Sequence, residues 1–210
     1  MSQGMSINQQ AFPPVTTSLI GACAVMFLLQ DMAPAEVINR LILWPLGDHA
    51  RGPGFYPWQL ISYGFLHGSF LHILVNMFVL WMFGVQIEKL WGSGRFAFYY
   101  FFCVVGAGLF HLAVGVLAPG GGSPVLGASG GVLGVLVAFG RIYPNQMIML
   151  LIPPVPVKAK YLVIIIGAIS ILAGMTGALG GIAHFAHLGG MVFGFGLLLY
   201  WESKYGRGRF

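Results

Sequence analysis

Ser129 stands in the run Gly127-Ala128-Ser129-Gly130-Gly131, with Gly134 close behind. A serine hydroxyl is a weak nucleophile at neutral pH and needs an adjacent base to take its proton. His187 offers that base, since an imidazole with an unperturbed pKa of ~6.5 can accept the proton and return it to a leaving amine. His72 and Asn76 are four residues apart, which on a helix puts them on one face. An imidazole N–H, a carboxamide NH2 and the free backbone N–H groups of a helix starting at Ser129 are donors suited to a developing oxyanion. Each group has a plainer reading on its own. Ser, Ala and Gly are what close helix interfaces use, His72 fits a structural histidine, and His184 and His187 could bind a metal with His72. His67, His111 and His184 are expected to make structural hydrogen bonds.

The elements that must carry these groups lie in a bilayer. Of 210 residues 58% are hydrophobic and only 7% charged, with mean hydropathy +0.85, against the ~25% charge of a soluble domain. Stretches near the ~20 residues needed to cross a membrane occur at about 16–32, 67–87, 96–117, 127–141, 161–179 and 183–201. This predicts an all-α membrane protein: a polar segment 1–14, a six-helix domain over 15–203 and a basic tail 204–210. Residues 1–14 lack the basic n-region of a cleavable signal, so the first span is expected to be retained. The apolar run 147–157 holds Pro153, Pro154 and Pro156 and is too short to span, which predicts a segment at the membrane surface or a buried loop. Cys23 and Cys103, both in apolar runs, read as small buried hydrophobes.

Charge orients the spans. Lys89, Arg95, Arg141, Lys158, Lys160, Lys204, Arg207 and Arg209, eight of ten basic residues, fall on the side shared by both termini, which leaves Arg40 and Arg51 opposite. By the positive-inside rule both termini are cytoplasmic. The net charge of +5 is then a topology signal and not a nucleic-acid patch. Spans 2, 4 and 6 open with His67, His72 and Asn76, with Ser129, and with His184 and His187, all at the non-cytoplasmic end. Costly polar groups within spans are functional candidates by default, and three spans bring them to one depth. A cation transporter would need acidic residues within the spans, and none lie there; the reading takes no metal and no cofactor.

These residues resemble the rhomboid family of intramembrane serine proteases, in three stretches: Phe65 to Met77 (FLHGSFLHILVNM), Gly127 to Gly131 (GASGG) and Ala186 to Gly194 (AHLGGMVFG). The likeness covers roughly residues 55–203, including Pro144, Asn145 and the stretch Pro156 to Tyr161 between spans 4 and 5. It implies a six-helix rhomboid bundle in which Ser129 is the nucleophile and His187 its base, a dyad with no carboxylate. His72 and Asn76, with the Ser129 backbone, correspond to the oxyanion hole. Gly190 and Gly194 match positions that let span 6 approach span 4. Glu88 matches an acidic residue that helps hold the structure, although a surface ion pair with Lys89 or Arg95 is an alternative. Two positions depart from the pattern: Gln59 follows Trp58 where an arginine is common, and Leu133 replaces an aromatic ring that packs on the catalytic histidine. The implied activity is cleavage of membrane-protein substrates in or beside a transmembrane segment, from a bacterial inner membrane. The implied alternative is a catalytically dead relative that binds membrane proteins.

Overall fold

The computed structural model describes residues 12–47, 52–117, 122–150, 154–176 and 183–206. A helix stands at each of the six apolar segments: α1 (Pro14–Gln30), α4 (Phe70–Val79) continued through a π turn (Leu80–Gly84) into α5 (Val85–Trp91), α6 (Ser93–Leu117), α7 (Ser129–Ile142), α8 (Ala159–Thr176) and α9 (Ala183–Tyr205). Two short helices, α2 (Ala35–Asn39) and α3 (Gln59–Ser62), give the long first connection its own structure. Three helices, Phe70–Trp91, Ser93–Leu117 and Ala159–Thr176, are long and apolar enough to cross a membrane; Pro14–Gln30 and Ser129–Ile142 are shorter apolar helices.

Helix α7 is the centre of the molecule. Its residues from Gly130 to Gly140 are buried with the sole exception of Leu133, the pattern of a helix apolar all round and enclosed by others. Helices α6 and α9 pack on it most extensively. Between apolar helices in lipid there is little hydrophobic drive, so association depends on close backbone approach. Gly190 meets this need: a Cβ there would collide with the Gly130 carbonyl. One turn further, a Cβ at Gly194 would lie 2.6 Å from the Tyr99 hydroxyl and 3.2 Å from Gly134 Cα. That Tyr99 hydroxyl donates to the Gly134 carbonyl at 2.9 Å, and so ties α6 to α7 beside the contact.

At the far end of α7, Arg141 pairs with Glu202 of α9 at 2.6 Å, and Arg95 at the start of α6 lies 6.0 Å over the Trp201 ring. The ends of α7 and α9 and the start of α6 therefore meet there, so Arg95 and Arg141 share one end of the bundle. Arg51, Arg207, Arg209, Pro153, most of the polar segment 1–14, and the connections 118–121 and 180–182 lie outside the described residues.

Glu88 fastens α1 to this core. Its carboxylate is 2% exposed and accepts from the Val15 and Thr16 main-chain N–H groups at 2.9 and 2.7 Å, from Thr16 Oγ1 at 2.7 Å and from Ser93 Oγ at 2.7 Å. Pro13 offers no side-chain cap to α1, so a carboxylate from 72 residues away takes the cap's place, at the helix end where negative charge is favoured. These partners, and not Lys89 or Arg95, satisfy it.

The chain is mostly helical, as expected of an all-α membrane protein, with one short ladder beside the helices. Met147–Met149 and Pro156–Lys158 form a two-stranded antiparallel ladder, with Ile148 opposite Val157. The prolines bar a helix here, while the alternation of exposed Met147 and Met149 about buried Ile148 suits a strand. Span 2 also begins later than expected. Ser69, extended and accepting from the His72 N–H at 3.2 Å, is its N-cap, so His67 lies before the helix.

Two substitutions test this packing. Glu88→Ala leaves three buried or part-buried donors on α1 without their acceptor and should lower the unfolding free energy by about 2–4 kcal/mol, with Glu88→Gln intermediate. Gly190→Ala drives a methyl into a carbonyl that has nowhere to move and should cost about 2–3 kcal/mol. Unfolding of the purified protein in mixed detergent micelles measures both.

Candidate active site

A cavity of about 240 Å³ is lined by His72, Val75, Asn76 and Val79 of the α4 segment, Ser129, Val132 and Leu133 of α7, Ile166 of α8, and His187 of α9. The four polar groups singled out from spacing thus face one space from three helices. Asn76 is buried, while His72, Ser129 and His187 are half-buried. Asn76 Nδ2 donates to the His72 carbonyl at 2.9 Å, which holds the carboxamide on its own helix and leaves its second N–H uncommitted by that bond. Ala128 precedes α7 without a side-chain cap, and the first intrahelical bond there runs from Val132 N to Ala128 O. The N–H groups at the helix start around Ser129 are therefore donors of the kind a helix leaves unused, at the positive end of its dipole.

The segments entering α4 and α7 are stitched together ahead of the site. The Tyr63 carbonyl accepts from Leu66 N at 3.2 Å and from Gly127 N at 2.9 Å, so one oxygen links the approach to His72 with the approach to Ser129. Tyr63 is itself anchored to α6 by its hydroxyl, which donates to the Val104 carbonyl at 2.7 Å. Gly127 has φ +130°, and a Cβ there would sit 2.8 Å from His72 Cε1 and 3.7 Å from Ser129 Oγ. Backbone conformation and space both require glycine here. Leu43 and Val125 exchange main-chain bonds of 3.1 and 2.9 Å, which ties the first connection to the strand of chain that leads into Ser129. His111 anchors that same stretch through a 2.8 Å contact with the Ser123 carbonyl.

Spacing does not single out Tyr63, because the link between the two segments runs through its main-chain oxygen, which any residue supplies, while its hydroxyl only anchors it to α6. The other histidines flank the site. The His184 and His187 rings meet edge-on at 5.5 Å, and the His67 and His72 rings at 5.1 Å. Among the described residues no group of three or more His, Cys, Asp or Glu is placed to hold a metal ion.

Residues 55–203 match the Rhomboid domain. The chain belongs to the rhomboid family. Its relatives include mitochondrial Rhomboid protein 1 of Saccharomyces cerevisiae, 33% identical over 139 residues, which are 65% of this chain and 39% of that protein. Rhomboid protease GlpG of Serratia proteamaculans is 26% identical over 196 residues, 91% of this chain and 64% of that one. RHOMBOID-like protein 4 of Arabidopsis thaliana is 28% identical over 153 residues, 71% of this chain and 36% of that one. The chain thus spans less than two thirds of the length of each. With its family and its long apolar helices, this rhomboid is an integral multi-pass membrane protein.

One of the two departures from the family pattern, Gln59, finds a physical account in this rhomboid. Gln59, fully buried, uses its whole carboxamide: Oε1 accepts from Trp44 N and Tyr56 N at 3.2 Å each, and Nε2 donates to the Arg40 and Gly54 carbonyls at 3.3 and 3.1 Å. A neutral side chain is what a buried site with carbonyl and N–H partners on both sides calls for. Trp58 stacks on Tyr56 at 4.5 Å and donates to the Arg40 carbonyl at 2.9 Å, so it braces the same loop from its exposed side. Leu133 lines the cavity itself, part-buried, where an aromatic ring is common.

Gly127→Ala should lower stability by about 1–3 kcal/mol through its left-handed backbone alone, with the His72 ring displaced in addition. A calorimetric melt of the variant in detergent measures the first effect, and a structure of it shows the second.

Proposed function

We propose that this rhomboid is an intramembrane serine endopeptidase that hydrolyses a peptide bond in or near the transmembrane segment of other membrane proteins. The observation that carries this reading is the single cavity onto which Ser129, His187, His72 and Asn76 converge. In the reaction Ser129 Oγ attacks the scissile carbonyl carbon as His187 takes its proton. The oxyanion is met by the Asn76 carboxamide, the His72 ring N–H and the backbone N–H groups at the start of α7; loss of one such donor costs about 10²–10³ in rate. His187 then gives its proton to the leaving amine. Water, deprotonated by the same imidazole, hydrolyses the acyl-enzyme and restores the serine. No carboxylate and no cofactor enters any step.

The dimensions of α7 suit this task. At about 1.5 Å per residue its 14 residues reach about 21 Å, short of the ~30 Å hydrocarbon. With Arg141 at one interface, Ser129 at the other end comes to lie below the opposite surface. The positive-inside rule gives that surface as extracytoplasmic, with six spans and both termini cytoplasmic; a bacterial inner membrane fits this arrangement. A helical substrate hides its carbonyls in hydrogen bonds, so segments with small or helix-weakening residues near the cut are the expected substrates. They enter laterally, from the lipid.

Proteoliposomes with a model transmembrane substrate test the reading. The wild type should cleave, while Ser129→Ala and His187→Ala should each lose more than about 10⁴-fold, and a serine-directed fluorophosphonate should label the wild type at Ser129. Absence of both cleavage and labelling in the wild type would leave a binding protein with a rhomboid fold.

A further inference from the structure

We propose that Gln30, at the last turn of α1, is a positioning residue for the site, acting through His67 on His72. The inference rests on the serine-endopeptidase reading and extends its machinery to a helix that does not line the cavity.

His72 sits in the first turn of α4, two residues after Phe70 opens the helix. First turns fray unless the chain before them is held. Ser69 caps the turn, and the chain ahead of Ser69 passes through His67, which is 1% exposed. Gln30 grips that residue by both main-chain groups. The His67 N–H donates to Gln30 Oε1 at 2.9 Å, and Gln30 Nε2 donates to the His67 carbonyl at 2.9 Å. The His67 ring is buried, and Gln30 reaches its main chain and not its ring nitrogens. Its edge-on neighbour at 5.1 Å is the His72 ring, so the setting of the His67 main chain bears on His72. Gly127 also borders the His72 ring, and a Cβ there would crowd it. Gln30 and Gly127 thus bear on one imidazole: one sets the chain ahead of it, the other leaves room for its ring. At the opposite end of α1, Glu88 pins the helix start, so Gln30 pushes against a fixed strut.

Gln30→Met keeps length and removes both hydrogen bonds. Hydrogen exchange of the intact protein in nanodiscs should show the His67 amide, and its neighbours up to Ile73, exchanging at least about tenfold faster, with α6, α7 and α9 unchanged. In the cleavage assay kcat should fall about ten- to a hundredfold with KM within about twofold. The loss should nearly vanish when the same substitution is made in a His72→Ala background, because the strut acts through His72. Gln30→Glu keeps the acceptor for the His67 N–H and should recover part of kcat. Equal losses in the two backgrounds, an unchanged kcat, or exchange that rises across the whole bundle would each overturn the proposal. If the wild type cleaves nothing, the protease reading fails, and exchange confined to residues 67–73 or its absence decides the strut alone.

Discussion

Between Gly130 on α7 and Gly190 on α9 the two backbones lie so close that a carbonyl occupies the space a side chain would need. Everything that faces the cavity depends on this approach. Helices in lipid gain nothing from hiding apolar surface from water, so what holds them is van der Waals contact, which falls off steeply with distance. The pair of glycines lets α9 bring His187 beside the start of α7, one residue before Gly130. Larger residues at either place would part the helices beside the cavity that Ser129 and His187 line.

A second constraint is the fate of polar groups buried inside the bundle. Glu88 closes the start of α1 and the Tyr63 carbonyl joins two entering segments, while Gln59 exhausts its four hydrogen-bonding positions inside the first connection. Each acts on main-chain groups that helix ends and irregular backbone leave exposed, and such groups are tolerated at membrane depth only when enclosed and satisfied. The arginine common at position 59 in the family would bring a charge to partners that are carbonyls and N–H groups. Glutamine meets both kinds with one side chain. The loop is thus rigid by neutral hydrogen bonding and by the Trp58–Tyr56 stack, and through the Leu43–Val125 exchange that rigidity reaches the chain before Ser129.

Much of this was legible from residue types. Long apolar stretches marked the six helices, and polar residues within them stood out because lipid makes them costly. The run 147–157 is too short to span, and within it the alternation about Ile148 gives a short strand, Met147–Met149, that pairs with Pro156–Lys158. His67 was read as the opening of a span, but Ser69 two residues later is the better cap and starts the helix. Glu88 stood open between a surface pair and a structural role, since its partners Val15 and Thr16 are more than seventy positions distant and use main-chain N–H groups that no side-chain pattern reports.

The sequence by itself determined that the chain lives in a membrane, which long stretches become helices, and which polar side chains stand out as candidates for chemistry, because these follow from local composition and period. The tertiary structure alone decided that Ser129, His187, His72 and Asn76 share one cavity, that Gly127 must lack a Cβ, and that Gln30 holds His67. Those facts depend on contacts between segments tens of residues apart and largely on backbone atoms, which are the same for every residue and leave no mark in the sequence.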